Sequence, residues 1–178
     1  MIVERMIKKG YVQVYTGNGK GKTTAALGLV LRAAGAGFRI FILQFIKKGQ
    51  YSELKALEKF SNQITLEQYG LGRLITRQPA AEDFEIAQKG LQRLKEVVTA
   101  GAHDLVVVEE GNIAVAKGLI SVSDLIDIID GKPTAMELVI TGRNAAPEII
   151  ERADLVTEMK EVKHYFNDGV GARVGIEK

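Results

Sequence analysis

The residues best suited to chemistry lie in one run, Tyr15-Thr16-Gly17-Asn18-Gly19-Lys20-Gly21-Lys22-Thr23-Thr24. Gly17, Gly19 and Gly21 allow backbone conformations that a Cβ would penalise, so several N–H groups can turn toward one point. Those donors, and the positive end of a helix starting beyond them, attract an anion. Lys22 can reach terminal phosphate oxygens, and the Thr23 hydroxyl can ligate Mg²⁺. The spacing is that of a nucleotide phosphate loop with one departure. The common pattern has a glycine five residues before Gly21, and Thr16 stands there. A glycine-rich turn without a ligand is the plain alternative; the strand-to-helix context favours nucleotide binding.

A second candidate is Asp104-Leu105-Val106-Val107-Val108-Glu109-Glu110, an apolar run ending in two acids. Strands of this kind bring a carboxylate toward Mg²⁺ in phosphate-loop proteins, usually as Asp. Glu109 and Glu110 are therefore candidate metal ligands, against the plain reading of solvated loop acids. No Asn-Lys-x-Asp tetrapeptide supports guanine specificity.

For these groups to meet, strands must end and helices begin at the right places. Residues 11–15 read as a strand running into the loop, and residues 21–36 as an Ala- and Leu-rich helix closing at Gly35 and Gly37. Residues 38–46 form a near-continuous apolar run, the mark of a buried strand. Further strands are expected at 64–69, 105–108, 138–141 and 155–159. Helices are expected from Ser52 to about Phe60, from Pro79 to about Ala100, and from residues 121–124 to about Gly131. Asp124 only approximates a capping box, which prefers Glu or Gln. Strands alternating with helices predict an α/β fold with a mainly parallel sheet covered by helices.

A chain of 178 residues fits one domain, able to bury roughly 70% of its extended-chain surface. We expect residues 1–10 as an N-terminal arm, frayed or folded over a ligand, and residues 11–178 as the nucleotide-binding domain. With no cysteine, disulfide frameworks, thiolate metal sites and a cysteine nucleophile are excluded. A net charge of +2 gives no argument for nucleic acid or an anionic membrane. No apolar run approaches a membrane helix of roughly 18 residues; the absence of cysteine is compatible with a reducing cytoplasm, the location expected. His103 is expected at the surface, and His164 to face nucleotide, a dimer contact or the core.

Taken together, the sequence resembles the ATP:corrinoid adenosyltransferases of the P-loop type, also called cob(I)alamin adenosyltransferases. The likeness rests on separated segments: the loop 16–26 with its missing early glycine, Gln44-Phe45-Ile46-Lys47, Ile140-Thr141-Gly142-Arg143, Ala153-Asp154-Leu155-Val156-Thr157-Glu158-Met159, Val162-Lys163-His164 and the tail 169–176. It implies a RecA-like P-loop fold, a homodimer, and transfer of the 5′-deoxyadenosyl group of ATP to cobalt(I), with triphosphate leaving. The family binds the phosphate tail in the reverse sense along its loop, exposing the 5′ carbon to the corrinoid. It also implies a reduced flavoprotein as electron donor.

Carried over by position, Lys22 and residues 16–24 hold ATP, and Thr23 and Glu110 ligate Mg²⁺. Lys22 and Glu110 thus stand as the catalytic pair. Glu109 occupies a place where the family commonly has Asp. Arg32 matches a nucleotide-side arginine, with a solvated helix residue as the alternative, and Arg143 is expected to face phosphate on the ground that it follows an apolar strand. Corrinoid contacts fall on Gln44, Phe45, Tyr69, Arg73 and Ile75, although the best-known members carry Phe and Trp where Arg73 and Ile75 align. An ordinary surface loop is the alternative there. Two other functions stay open on the residues alone: a kinase or ATPase with an unidentified acceptor, and an ATP-switched module acting on nucleic acid.

Overall fold

The computed structural model of the chain describes residues 7–73 and 78–178. Among them six strands form one sheet in the order β3-β2-β4-β5-β1-β6. They are β1 (Val12–Thr16), β2 (Ile40–Ile46), β3 (Ile64–Gly70), β4 (Leu105–Glu109), β5 (Glu137–Thr141) and β6 (Leu155–Glu158). Every pairing is parallel. All strand C-termini therefore open on one edge, where ligands of open α/β sheets bind. The loop strand β1 and the acid strand β4 are not neighbours, because β5 lies between them.

Residue parity distributes the core. Ile40 and Ile42 of β2 pack with Val107 of β4, Val139 of β5 and the Ala26–Val30–Ala33 stripe of helix α1 (Lys22–Gly35). Phe41, Leu43 and Phe45 point to the opposite face, against Leu91 and Leu94 of α3 (Ala81–Ala100). With helices on both faces, β2 and β4 are buried almost throughout. That is why they read as unbroken apolar runs. The same period of two puts Gln44 and Glu109, adjacent partners across β2 and β4, on the face that carries α1.

Two six-residue helices escaped the sequence pattern, α4 (Gly111–Ala116) and α6 (Pro147–Arg152). Each is too short for a helical period to show. Helix α2 (Ser52–Leu57) continues into a 3₁₀ turn, Glu58–Phe60. α3 begins after Ala80 rather than at Pro79, because the Asp83 carboxylate accepts the Ala80 N–H at 2.9 Å. At α5 (Val122–Gly131) the reciprocal cap is complete despite the shorter acid. Ser121 Oγ accepts from Asp124 N at 3.0 Å, and Asp124 Oδ2 accepts from Ser121 N at 3.1 Å.

The described part of the arm docks at the far end of the sheet. Gly10 N donates to Thr134 O at 2.7 Å and Lys132 Nζ to Gly10 O at 2.8 Å. Residues 7–10 thus precede β1 on the edge opposite the strand C-termini.

Candidate active site

A cavity of about 860 Å³ opens at the C-terminal edge of the sheet. One wall is the phosphate loop, residues 19–24. Glu110, Arg143, Lys47, Tyr51, Ser52, Glu53, Gly72, Arg73, His164 and the tail residues 175–178 complete its lining.

The loop's shape comes from its glycines. Gly17 has φ +92°, and a Cβ there would lie 2.5 Å from Met159 O. One on Gly19 would lie 2.7 Å from the same oxygen, which Gly19 N already bonds at 2.6 Å. α1 then starts without a side-chain cap and without an acid in its first turn. Its leading N–H groups and positive dipole end are left for an anion. Lys22 Nζ curls back onto Gly17 O (2.7 Å) and Gly19 O (2.8 Å), inside the concavity it would share with phosphate. Burial lowers the Lys22 pKa and Arg143 lowers it further, while Glu110 opposes them. Arg143 reaches the loop from β5, with Nη2 3.2 Å from Asn18 O.

The two acids part company. Glu109, 1% exposed, ends β4 and is fully engaged: Gln44 Nε2 donates to Oε2, and Lys47 Nζ lies 2.6 Å from Oε1. Gln68 Nε2 donates to Gln44 Oε1 at 2.9 Å, extending a polar row across β3, β2 and β4. Glu110 adopts φ +58° and starts α4, its N–H held by Thr141 Oγ1 at 3.1 Å. This turn carries its side chain off the sheet to the cavity. Among the described residues its carboxylate has no hydrogen bond or ion pair. Burial raises its pKa, as does Glu109, against Lys47, Lys22 and Arg143.

A hydroxyl, two carboxylates and nucleotide phosphates make an all-oxygen donor set that suits Mg²⁺. The Lys47 ammonium, 3.3 Å from Thr23 Oγ1 as well as against Glu109, shows that this corner favours a cation.

The structure brings together Gly19, Lys20, Gly21, Lys22, Thr23, Thr24, Glu110, Arg143 and Arg73 around one cavity. Thr16, Gly17 and Asn18 shape the loop from behind; Thr16 Oγ1 accepts the Ala145 N–H at 3.2 Å. Arg32 is a correction. It sits exposed in the last turn of α1, ten residues and about 15 Å along the helix from Lys22, and does not line the cavity. Gln44 and Phe45 are each 0% exposed, so neither offers a surface to a corrinoid. Gln44 is committed to Glu109, and Phe45 faces α3 within the core. Tyr69 also turns to that face, bonded to Glu67 at 2.8 Å with its pKa pushed up to about 12 by burial and by Glu67. Ile75 lies outside the described residues. His103 is half-buried rather than superficial, its ring 5.4 Å from that of Phe41. His164 lines the cavity.

Sequence reasoning gave no role to Lys47, Tyr51, Glu53 or residues 175–178. Lys47 carried a signal, as the first of two cations, Lys47 and Lys48, directly after an apolar strand that ends beside the acid strand. The tail carried only the family likeness over residues 169–176, with no role attached to it. It reaches the loop by a contact between residues far apart in sequence, Lys20 Nζ to Ile176 O at 3.1 Å.

Residues 8–177 match the family described as ATP:corrinoid adenosyltransferase BtuR/CobO/CobP. A corrinoid adenosyltransferase of Sinorhizobium sp. is 36% identical over 96% of this chain and 81% of its own length. One of Pseudomonas aeruginosa is 33% identical over 99% and 87%, and corrinoid adenosyltransferase CobA of Salmonella typhimurium is 32% identical over 99% and 89%. Among solved structures, a KaiC-like protein of Pyrococcus horikoshii superposes with TM-score 0.56 at 15% identity, over 87% of this chain and 74% of its own. That likeness speaks for the fold alone, a RecA-like P-loop sheet.

Proposed function

The chain belongs to the ATP:corrinoid adenosyltransferase family, and from that premise we propose that it transfers the 5′-deoxyadenosyl group of ATP to the cobalt(I) of a corrinoid. The observation that carries this reading is one cavity lined by two unlike sets of residues: a phosphate loop with Lys22 and Arg143, and, outside the loop, Tyr51, Gly72 and Arg73. A triphosphate engages the first set and leaves the second for the acceptor.

In this reaction the cobalt(I) electron pair attacks C5′, and the bond from C5′ to the α-phosphate oxygen breaks. That oxygen leaves with the bonding pair as part of triphosphate. Negative charge gathers on the leaving oxygens, so fixed donors and cations along the tail lower the barrier. The loop N–H groups, Lys22 and Arg143 are those donors in our reading. No proton is abstracted, and the chain need supply no general base. Its task is position and field. Thr23 and Glu110 would hold Mg²⁺, with Glu109 beside them. That ion, when bound, supplies neutralisation of the triphosphate.

A homodimer, a reduced flavoprotein donor and a cytoplasmic location rest on the family. No described helix is long and apolar enough to cross a membrane. The test is direct. Protein, MgATP and chemically reduced cobalamin should give adenosylcobalamin, followed by visible spectrum, with triphosphate as co-product. ADP and orthophosphate in its place would mark a kinase or ATPase and end this reading.

A further inference from the structure

Lys47 follows the last residue of β2, and the backbone goes out of its way to aim it. Ile46 has φ +66°, a left-handed conformation that a β-branched residue adopts only when its surroundings impose it. Lys47 N bonds back to Phe45 O at 2.6 Å, and Gly72 N holds Ile46 O at 3.1 Å. This tight turn folds the lysine back over the sheet edge instead of letting β2 run outward. Its Nζ then bridges Glu109 Oε1 (2.6 Å) and Thr23 Oγ1 (3.3 Å). Those oxygens belong to the acid strand and the loop threonine, the two elements that face a divalent cation in sites of this kind. Magnesium needs oxygens at about 2.0–2.1 Å in a near-octahedral shell. An ammonium on Thr23 Oγ1, one of the oxygens assigned to the ion, and on the neighbouring Glu109 occupies the corner that the ion would enter.

We propose that the Lys47 ammonium is a tethered stand-in for the divalent cation, which must displace it to enter with the nucleotide. The inference rests on reading this corner as the Mg²⁺ site. In the nucleotide-free chain, Lys47 neutralises the buried Glu109 and keeps Thr23 and the end of β4 in place. It also makes bare metal bind poorly, so that metal enters on the phosphates. Once displaced, Lys47 shifts the segment that carries Tyr51, whose ring lies 5.6 Å from its Nζ. Tyr51, Ser52 and Glu53 line the cavity; metal loading is thereby coupled to the wall on the acceptor side.

The test uses Mn²⁺ as probe, with free ion counted by electron paramagnetic resonance. Without nucleotide, Lys47→Met should bind Mn²⁺ at least about ten-fold more tightly than wild type, since one competing charge has gone. Lys47→Gln keeps a donor for Glu109 and guards against simple collapse of the corner. It should move in the same direction, and Mn²⁺ should raise the melting temperature of both variants more than that of wild type. Mn²⁺ binding equal to or weaker than wild type in a folded variant would overturn the proposal and leave the site assignment standing. Failure of wild type to bind Mn²⁺ with ATP would overturn the assignment itself, and the proposal with it.

Discussion

The two ends of the cavity are built from different materials. At the phosphate end, main chain sets the geometry: positive φ at Gly17 and Gly21, glycine contacts that leave no space for a Cβ, and an uncapped helix start. At the acceptor end, side chains set it: Tyr51, Ser52 and Glu53 at the start of a short helix, and Arg73 on a turn. A polyanion is the same in every nucleotide, so the first end can be rigid and generic. An acceptor differs between enzymes, and loops held by a few side-chain contacts can change without disturbing the sheet.

Lys22→Ala should break the first end most severely. Lys22 Nζ is held by the loop carbonyls of Gly17 and Gly19, and its charge is expected to help carry away the triphosphate. Turnover is expected to fall about 10²–10³-fold, as when a single transition-state donor is lost. ATP affinity should weaken by about 1.5–3 kcal/mol, the range for a charge-assisted hydrogen bond. Isothermal titration and single-turnover spectra measure both. Unchanged values would remove Lys22 from the mechanism.

Gly19→Ala comes next and tests the main chain alone, because no functional group is lost. The new Cβ would meet Met159 O at 2.7 Å and the Lys160 carbonyl carbon at 2.8 Å, both backbone atoms that cannot rotate away. Forced displacement of this kind costs about 1–3 kcal/mol. ATP binding should fall correspondingly, with corrinoid binding to the nucleotide-free protein unchanged. Wild-type ATP affinity in a folded variant would show that the loop is not held by Met159.

This division also explains what could be read in advance. The loop, the acid strand and the α/β pattern are local in sequence. Glycine spacing, the unbroken apolar run of β2 and an apolar strand closing in Glu109-Glu110 suffice to find them. Arg32 and Phe45 misled because a resemblance carries position along the chain but not exposure. Arg32 rides too far along α1, and Phe45 has the parity of the α3 face. Lys47 is not legible from parity, which would put it on the face of Phe45; it reaches Glu109 only because the left-handed turn at Ile46 folds it back. The contact of the tail with the loop joins distant segments, Lys20 to Ile176, which no window of sequence displays.

Glu110→Gln separates the two acids. Burial raises the Glu110 pKa above its ordinary 4.5, so the native state favours the protonated form. Its contribution to stability is present below that pH and is lost as pH rises through the raised value. Glutamine carries no charge to bury. The nucleotide-free variant should therefore melt a few degrees higher than wild type at pH 7, and the difference should vanish below pH 4.5. At the same time, Mn²⁺ binding in the presence of ATP should weaken. A lower melting point at pH 7 would mean that Glu110 has a native partner. Metal binding equal to wild type would leave Glu109 as the ligand.

The smallest effect belongs to Arg73→Met, at the other end. The Arg73 guanidinium lies 2.9 Å from Asp83 Oδ2 and 3.9 Å from Glu82, pinning the turn at Gly72 to the start of α3. Asp83 keeps its bond from Ala80 N without Arg73, so the helix start survives the substitution. Arg73 holds the Asp83 carboxyl below its ordinary 3.8. The stability of this contact is thus present above that pH and lost as pH falls further; the variant should differ from wild type near neutrality and converge with it in acid. ATP affinity should stay unchanged, because Arg73 stands on the side made of loops. The corrinoid KM should rise by less than about ten-fold, the range of one exposed contact. If ATP affinity fell as far as corrinoid affinity, the cavity would have to be one coupled surface, not a rigid phosphate end with a variable acceptor end attached.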